Sequence, residues 1–318
     1  MTGLRYALHG VTIALVWFGL INVAVAAIVA VAAREELRRE PNRGAALWLA
    51  LRLLPSIAAI VFVIALFAPS YWRYEPRAVE DLDVSLIVGA VAAALLIAAA
   101  AVRGWRAWRR AASRARAWLR IAQPIEIAAG IPVYEVPIDA PMMALAGVFR
   151  PRLLVTRGVV DALTGEELRA GIAHEIGHLR ARDNLKRLAI CAAPDVLVST
   201  RTAAAIEARW ASAAEHDADR AGAADNATRC ALASALIKVA KLTPLSTPLA
   251  EPISTLVDGG DIASRVQRLL DDGAPQARVG KLPRLSTAVA IVGTVVLSYS
   301  PLLWLVHEAT ELLVNTLP

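Results

Sequence analysis

Hydrophobic positions along this chain follow two patterns. Four stretches, at about 11–33, 47–68, 84–102 and 285–306, are apolar almost without a break. A run of about 18 or more such residues is long enough to cross a lipid core as a helix. The second run is interrupted early by Arg52, which lies near the run's end and is expected to snorkel to the interface, and by Pro55. The first is too long for the apolar core of a signal peptide, and only Arg5 precedes it as a basic flank, so it reads as a retained anchor. Residues 103–284 contain no comparable run. They have the length of one ordinary domain, about 180 residues.

Inside that central region the pattern changes to short elements. "PVYEV", "MALAGVF" and "RLLVT" are β-prone runs among prolines and glycines, and predict strands. Thr164, with Glu167 three residues later, is a capping box that opens a helix. Leu168, Ile172, Ile176 and Leu179 then recur at helical spacing. A second helical region follows, and a third from about Arg201 to Ala224 carries "AEHDADRAG". "CALASALIKVAKL" and "DIASRVQRLLDD" predict two more helices, separated by a loop with Pro244, Pro248 and Pro252. The expected fold class is a membrane protein with four transmembrane helices and a mainly helical α+β domain with a small sheet. The expected division is 1–102 (three helices), 103–284 (soluble domain), 285–306 (fourth helix) and 307–318 (tail).

Composition supports the membrane reading. The chain is 57% hydrophobic and 19% charged, against about 45–50% and 25% for soluble proteins. The net charge of +6 is distributed in a way that orients the helices. Arg103, Arg106, Arg109, Arg110, Arg114, Arg116 and Arg120 follow the third run, interleaved with Trp105, Trp108 and Trp118. Arg34, Arg38, Arg39 and Arg43 follow the first. Arginine in short flanks marks the cytoplasmic side, and tryptophan suits the interface. "SYWRYEPRAVEDLD", between the second and third runs, is acidic and aromatic and reads as outside. Lys281 and Arg284 before the fourth run, with Glu308 and Glu311 after it, agree. The N-terminus is therefore expected outside, the central domain in the cytoplasm and a short tail outside. Directly after a membrane run, the arginine–tryptophan segment suits anionic lipid head groups, so no nucleic-acid partner is expected. The two cysteines, Cys191 and Cys230, lack metal-ligand pairing and read as reduced thiols.

The candidate chemistry lies in "AGIAHEIGHLRARDN". His174 and His178 are one helical turn apart, so both imidazoles leave the same face and can share one Zn²⁺. Glu175 follows the first histidine, placed to take a proton from a water activated by the ion. A short motif of this kind also arises by accident, so a third ligand is the discriminating feature. The third helical region offers one in "EHDAD": Glu215 is the candidate ligand, and Asp219, one turn on, would hold a ligating histidine through its second ring nitrogen. His216 is the rival ligand, about 100° around the helix from Glu215. Tyr134, His216 and Arg265 are unranked candidates for stabilising an oxyanion.

"PRLLVTRGVVDALTGEELRAGIAHEIGHLRARDNLKRL" followed by "EHDADRAG" resembles the membrane-embedded gluzincin peptidases, and most closely the BlaR/MecR-type metallopeptidases of the bacterial β-lactam response. The likeness covers roughly residues 120–275 and the four-helix arrangement. It implies a zincin-like domain, a bacterial inner-membrane location and a zinc endopeptidase. Zinc would be held by His174, His178 and Glu215, Glu175 would be the general base, and Asp219 would be a supporting residue. "SRVQRLL" resembles a late helix of these peptidases, with Arg265 beneath the site. The substrate implied is a protein, a transcriptional repressor or the chain itself. The antibiotic sensors carry a large penicillin-binding domain after the last helix, and here only about 306–318 follows, so sensing is not carried over. HtpX-type quality-control proteases share both motifs but place membrane helices between them. "LAICAAPDVLVSTRTAAAIEARW" is too short and too polar for that. A non-catalytic scaffold that retains zinc for structure is the alternative of a different class.

Overall fold

The computed structural model describes residues 2–38, 44–76, 83–126, 130–223, 225–242, 254–255, 262–271 and 285–316. Arg39, Arg43, residues 77–82 of the acidic loop, the proline loop, Lys281 and Arg284 lie outside them. Two apolar helices come first: α1 (Thr2–Arg38) and α2 (Ala45–Val61). A π-helical turn, Phe62–Phe67, continues α2 into α3 (Ala68–Tyr74). Next is α4 (Val84–Leu119). The helices spanning Gly3–Arg38, Ala45–Tyr74 and Val84–Leu119 are the three among the described residues that are long and apolar enough to cross a membrane. Their outward faces carry exposed Leu8, Val11, Ile64, Val88 and Leu95, as helices bathed in lipid do. The last helix, α11 (Leu285–Thr316), covers the expected fourth run. Its later half docks on the others: Ser70 Oγ donates to the Leu303 carbonyl at 2.7 Å, and Tyr299 to that of Ala65 at 2.7 Å.

α1 has 37 residues and α4 has 36, so each is about 55 Å long against a lipid core of about 30 Å. The surplus is built into the central domain. Ala26, Val29 and Ala33 of α1, with Ala45 and Trp48 of α2, share a core with Ile206, Trp210, Ala213 and Ala214.

The central domain is a small sheet between helices. β1 (Gln123–Ile125), β2 (Val133–Val136), β3 (Met143–Ala146), β4 (Arg152–Thr156) and β5 (Ser254–Thr255) lie in the order β1-β2-β4-β3-β5. β2 and β4 are parallel and the other pairs antiparallel. β2, β3 and β4 match the three expected strands; β1 and β5 are additional. After β4 come α5 (Arg157–Ala162), α6 (Gly165–Ala181), α7 (Asp183–Ala192), a 3₁₀ turn (Val196–Ser199), α8 (Arg201–Gly222), α9 (Asn226–Leu242) and α10 (Ile262–Leu270). One sheet face packs Val133, Met143 and Val155 on Ile172 of α6 and Leu232 and Leu236 of α9. The other packs Val136 and Leu154 on Ala115 of α4.

Two residues depart from their expected surroundings. Arg52, expected to reach a membrane interface, is fully buried. Its guanidinium donates to Asp195 at 2.5 Å and to Glu207 of α8 at 2.6 Å. Asn22, inside the first apolar run, donates to the Pro194 carbonyl at 2.8 Å and accepts from the Val196 amide at 3.1 Å. Arg103 donates to the Ala193 carbonyl at 3.1 Å. The segment between the two sequence motifs is thus seated directly on the membrane helices.

Candidate metal centre

α6 starts where the sequence indicates. Thr164 Oγ1 accepts from the Glu167 amide (3.3 Å), and the Glu167 carboxylate accepts from the Thr164 amide (2.8 Å). These bonds satisfy donors that a helix start would otherwise leave orphaned. Ser234 and Lys238 of α9 also bond Glu167, at 2.6 and 2.8 Å, and tie the start of the motif helix to the core.

α8 then crosses α6 at two glycines. A β-carbon on Gly177 would sit 3.1 Å from the Ala218 Cα, and one on Gly222 would sit 2.7 Å from the His174 backbone nitrogen. Only hydrogen fits at Gly222, and this close approach carries Glu215 and Asp219 over the two histidines. His174, Glu175 and His178 are fully buried, and Glu215, Asp219 and Arg265 nearly so.

Three ligand-capable atoms converge. His174 Nε2 lies 3.2 Å from His178 Nε2, and Glu215 oxygens lie 3.4 Å from His178 Nε2 and 3.6 Å from His174 Nε2. A tetrahedral ion bonded at 2.0–2.1 Å spaces such atoms about 3.3–3.4 Å apart. The other ring nitrogens are already taken. His174 Nδ1 meets Asp219 at 2.9 Å and His178 Nδ1 meets Asp183 at 2.8 Å, so both rings turn Nε2 to the common point. Carboxylate partners of this kind orient metal-binding imidazoles.

The charge balance also suits a divalent ion. Four buried carboxylates, Glu175, Asp183, Glu215 and Asp219, face two cations. Arg265 bonds Asp219 at 2.8 and 2.5 Å and lies 2.9 Å from Glu215, while Lys186 bonds Asp183 at 2.9 Å. With His178 neutral, as metal binding requires, two negative charges are left over. Burial raises the carboxyl pKa values of Glu215, Asp219 and Asp183, but the imidazoles, Arg265 and Lys186 outweigh it and hold all three below the ordinary range. Burial lowers both imidazoles and prevails at His174. At His178 the Asp183 hydrogen bond and the nearness of Glu215 overcome it and push the pKa up to about 10.

Among the expected residues, His174, His178, Glu215 and Glu175 come together, with Asp219 and Arg265 around them. His216 does not join. It is half-buried on the neighbouring face of α8 and accepts from Arg268 at 2.9 Å. Tyr134 is turned to the α4 side of the sheet, under Arg152, and leaves the candidate oxyanion donors. Asp183 was not singled out by sequence reasoning; its signal is the aspartate five residues after His178. Among the described residues a second grouping, Glu75, His307 and Glu311, joins α3 to α11.

The fold and this cluster define a protein with helices long and apolar enough to cross a membrane and a candidate metal centre built from two facing helices. The model of peptidase family M48 matches residues 109–272, just over half of the chain, and the chain belongs to that family. It is therefore a metallopeptidase by family. A comparison with curated proteins gives no match.

Proposed function

We propose that this protein is a membrane-anchored zinc endopeptidase that cuts a cytoplasmic or membrane-proximal protein. One observation carries the reading: the two Nε2 atoms and the Glu215 carboxylate stand at the spacing of a tetrahedral ion, with both Nδ1 atoms held by carboxylates. Two nitrogens and one oxygen in that geometry favour zinc. His174, His178 and Glu215 would hold it, and a bound ion would supply Lewis acidity toward the peptide carbonyl. Glu175 takes the proton of the attacking water on its carboxylate and returns it to the leaving amine. Asp219 and Asp183 keep the two imidazoles turned inward, and Arg265 offsets the charge of Glu215 and Asp219.

The remaining assignments belong to the same proposal. α11 is read as the fourth span, with the N-terminus and the tail outside and the peptidase domain facing the bacterial cytoplasm. The BlaR/MecR-like stretch "HLRARDNLKRL" supports regulatory proteolysis of a repressor or of the chain itself. Quality control of membrane proteins is the second reading. The observation that favours it is the contact of the inter-motif segment with Asn22, Arg52 and Arg103, which sets the site close to the membrane. Comparing protein termini in cells carrying the parent or Glu175→Gln protein separates the two. A single cut repressor supports the first, many cut membrane proteins the second, and identical termini contradict endopeptidase activity.

A further inference from the structure

Asp183 and Asn184 are neighbours whose side chains reach two different parts of the site. Asp183 holds His178. Asn184 is 4% exposed, and its amide donates to the carbonyls of Leu145 at 2.8 Å and Gly147 at 2.9 Å. The turn between α6 and α7 makes this possible: Arg182 adopts the left-handed region (φ 56, ψ 40) and returns the chain toward the histidine it has just left.

The carbonyls that Asn184 takes, Leu145 of β3 and Gly147 one residue past its end, lie on one edge. Met142 directs both backbone groups to β4, accepting from the Thr156 amide at 2.9 Å and donating to Thr156 Oγ1 at 2.8 Å. Antiparallel alternation then points Ala144 to β4, and Met143 and Leu145 to the opposite, outer edge. That edge accepts extended chain. β5 lies antiparallel along it, with Thr255 opposite Ala144 and Ser254 opposite Leu145. The β3 edge runs beside α6, and addition of a strand to such an edge is a general way to bind a peptide backbone.

We propose that Asn184 is a positioning residue that sets the register in which a peptide substrate pairs with β3. The proposal rests on the endopeptidase reading above, with the substrate taking the edge that β5 occupies. Leu145 still pairs with Ser254 of β5, and by engaging the next outward carbonyl, that of Gly147, Asn184 ends the ladder at a fixed point. The covalent link to Asp183 fixes that point relative to His178. The bond presented to Glu175 is then set by where the ladder stops. A slip of one residue would turn every side chain to the other face, whereas a slip of two keeps the faces. Loss of Asn184 should therefore spread cleavage by two residues.

The test uses full-length protein in detergent, a long unstructured polypeptide and mass spectrometry of the products, with Glu175→Gln as the control. In Asn184→Ala, cuts two residues from the parent site should appear, KM should rise about tenfold with kcat within about twofold, and zinc affinity should be unchanged. Asn184→Ser restores one donor and should recover part of the loss; it carries the test if the alanine variant fails to fold. Unchanged cut sites and KM would overturn the proposal. Loss of zinc with cutting kept at the parent bond would also overturn it, since Asn184 would then only support His178. Absence of any Glu175-dependent cutting in the parent would overturn the endopeptidase reading, and this proposal with it.

Discussion

Each residue at the metal centre is held by a neighbour, and the chemistry depends on both. His178 carries a proton tightly when no metal is present, with a pKa near 10 set by Asp183 and Glu215 against the pull of burial. Metal must displace that proton. From pH 6 to 9, below that pKa, zinc affinity should therefore rise about tenfold per unit, with one proton released per ion. Competition titrations with a chelating dye across that range check the slope, and a flat profile would show that His178 gives up no proton to the ion. Asp183 and Asp219 have the same task on different rings. Asp183→Asn should weaken zinc binding about 10–100-fold while leaving the three ligands in place. An unchanged affinity in the same titration would mean that ring orientation comes from packing alone.

At the scale of elements, the sequence showed α6 in detail because its signals are local. Thr164, Glu167 and the apolar spacing lie within one helix, and Glu215 with Asp219 within one turn of α8. The contribution of Asp183 was not legible, because it depends on a left-handed Arg182, an unusual conformation for a residue with a side chain. The strands β1 and β5 have three and two residues, too few to show any alternation. Arg52 was misread for a different reason: sequence gives its depth in an apolar run but not its partners across 143 and 155 residues of chain. It fastens α2 to Glu207, two turns before Glu215 on α8. Arg52→Met would leave Asp195 buried without its cation, a loss of about 3–5 kcal/mol by comparison with other broken buried pairs. A clear fall in the thermal midpoint in detergent is expected, with partial recovery in Arg52→Met/Asp195→Asn. A midpoint equal to the parent's would contradict a buried pair.

For the whole molecule, the long apolar helices are more than an appendage to the central domain. Half of α1, the start of α2 and the end of α4 form part of the walls against which α7 and α8 pack, so the candidate metal centre is built partly on the long apolar helices. The apolar runs and the histidine motif were legible in the sequence as separate features; their shared core depends on contacts between distant segments that periodicity does not record. Detergents that disturb the helix bundle should accordingly disturb the metal centre as well. The central claim is that this buried cluster hydrolyses peptide bonds. The most direct measurement is cleavage of an unstructured polypeptide by purified, zinc-loaded full-length protein, parent against Glu175→Gln at equal zinc content. The expected result is cleavage by the parent and a loss of at least about a hundredfold in the variant. Equal rates in the two proteins, or none in the parent, would contradict it.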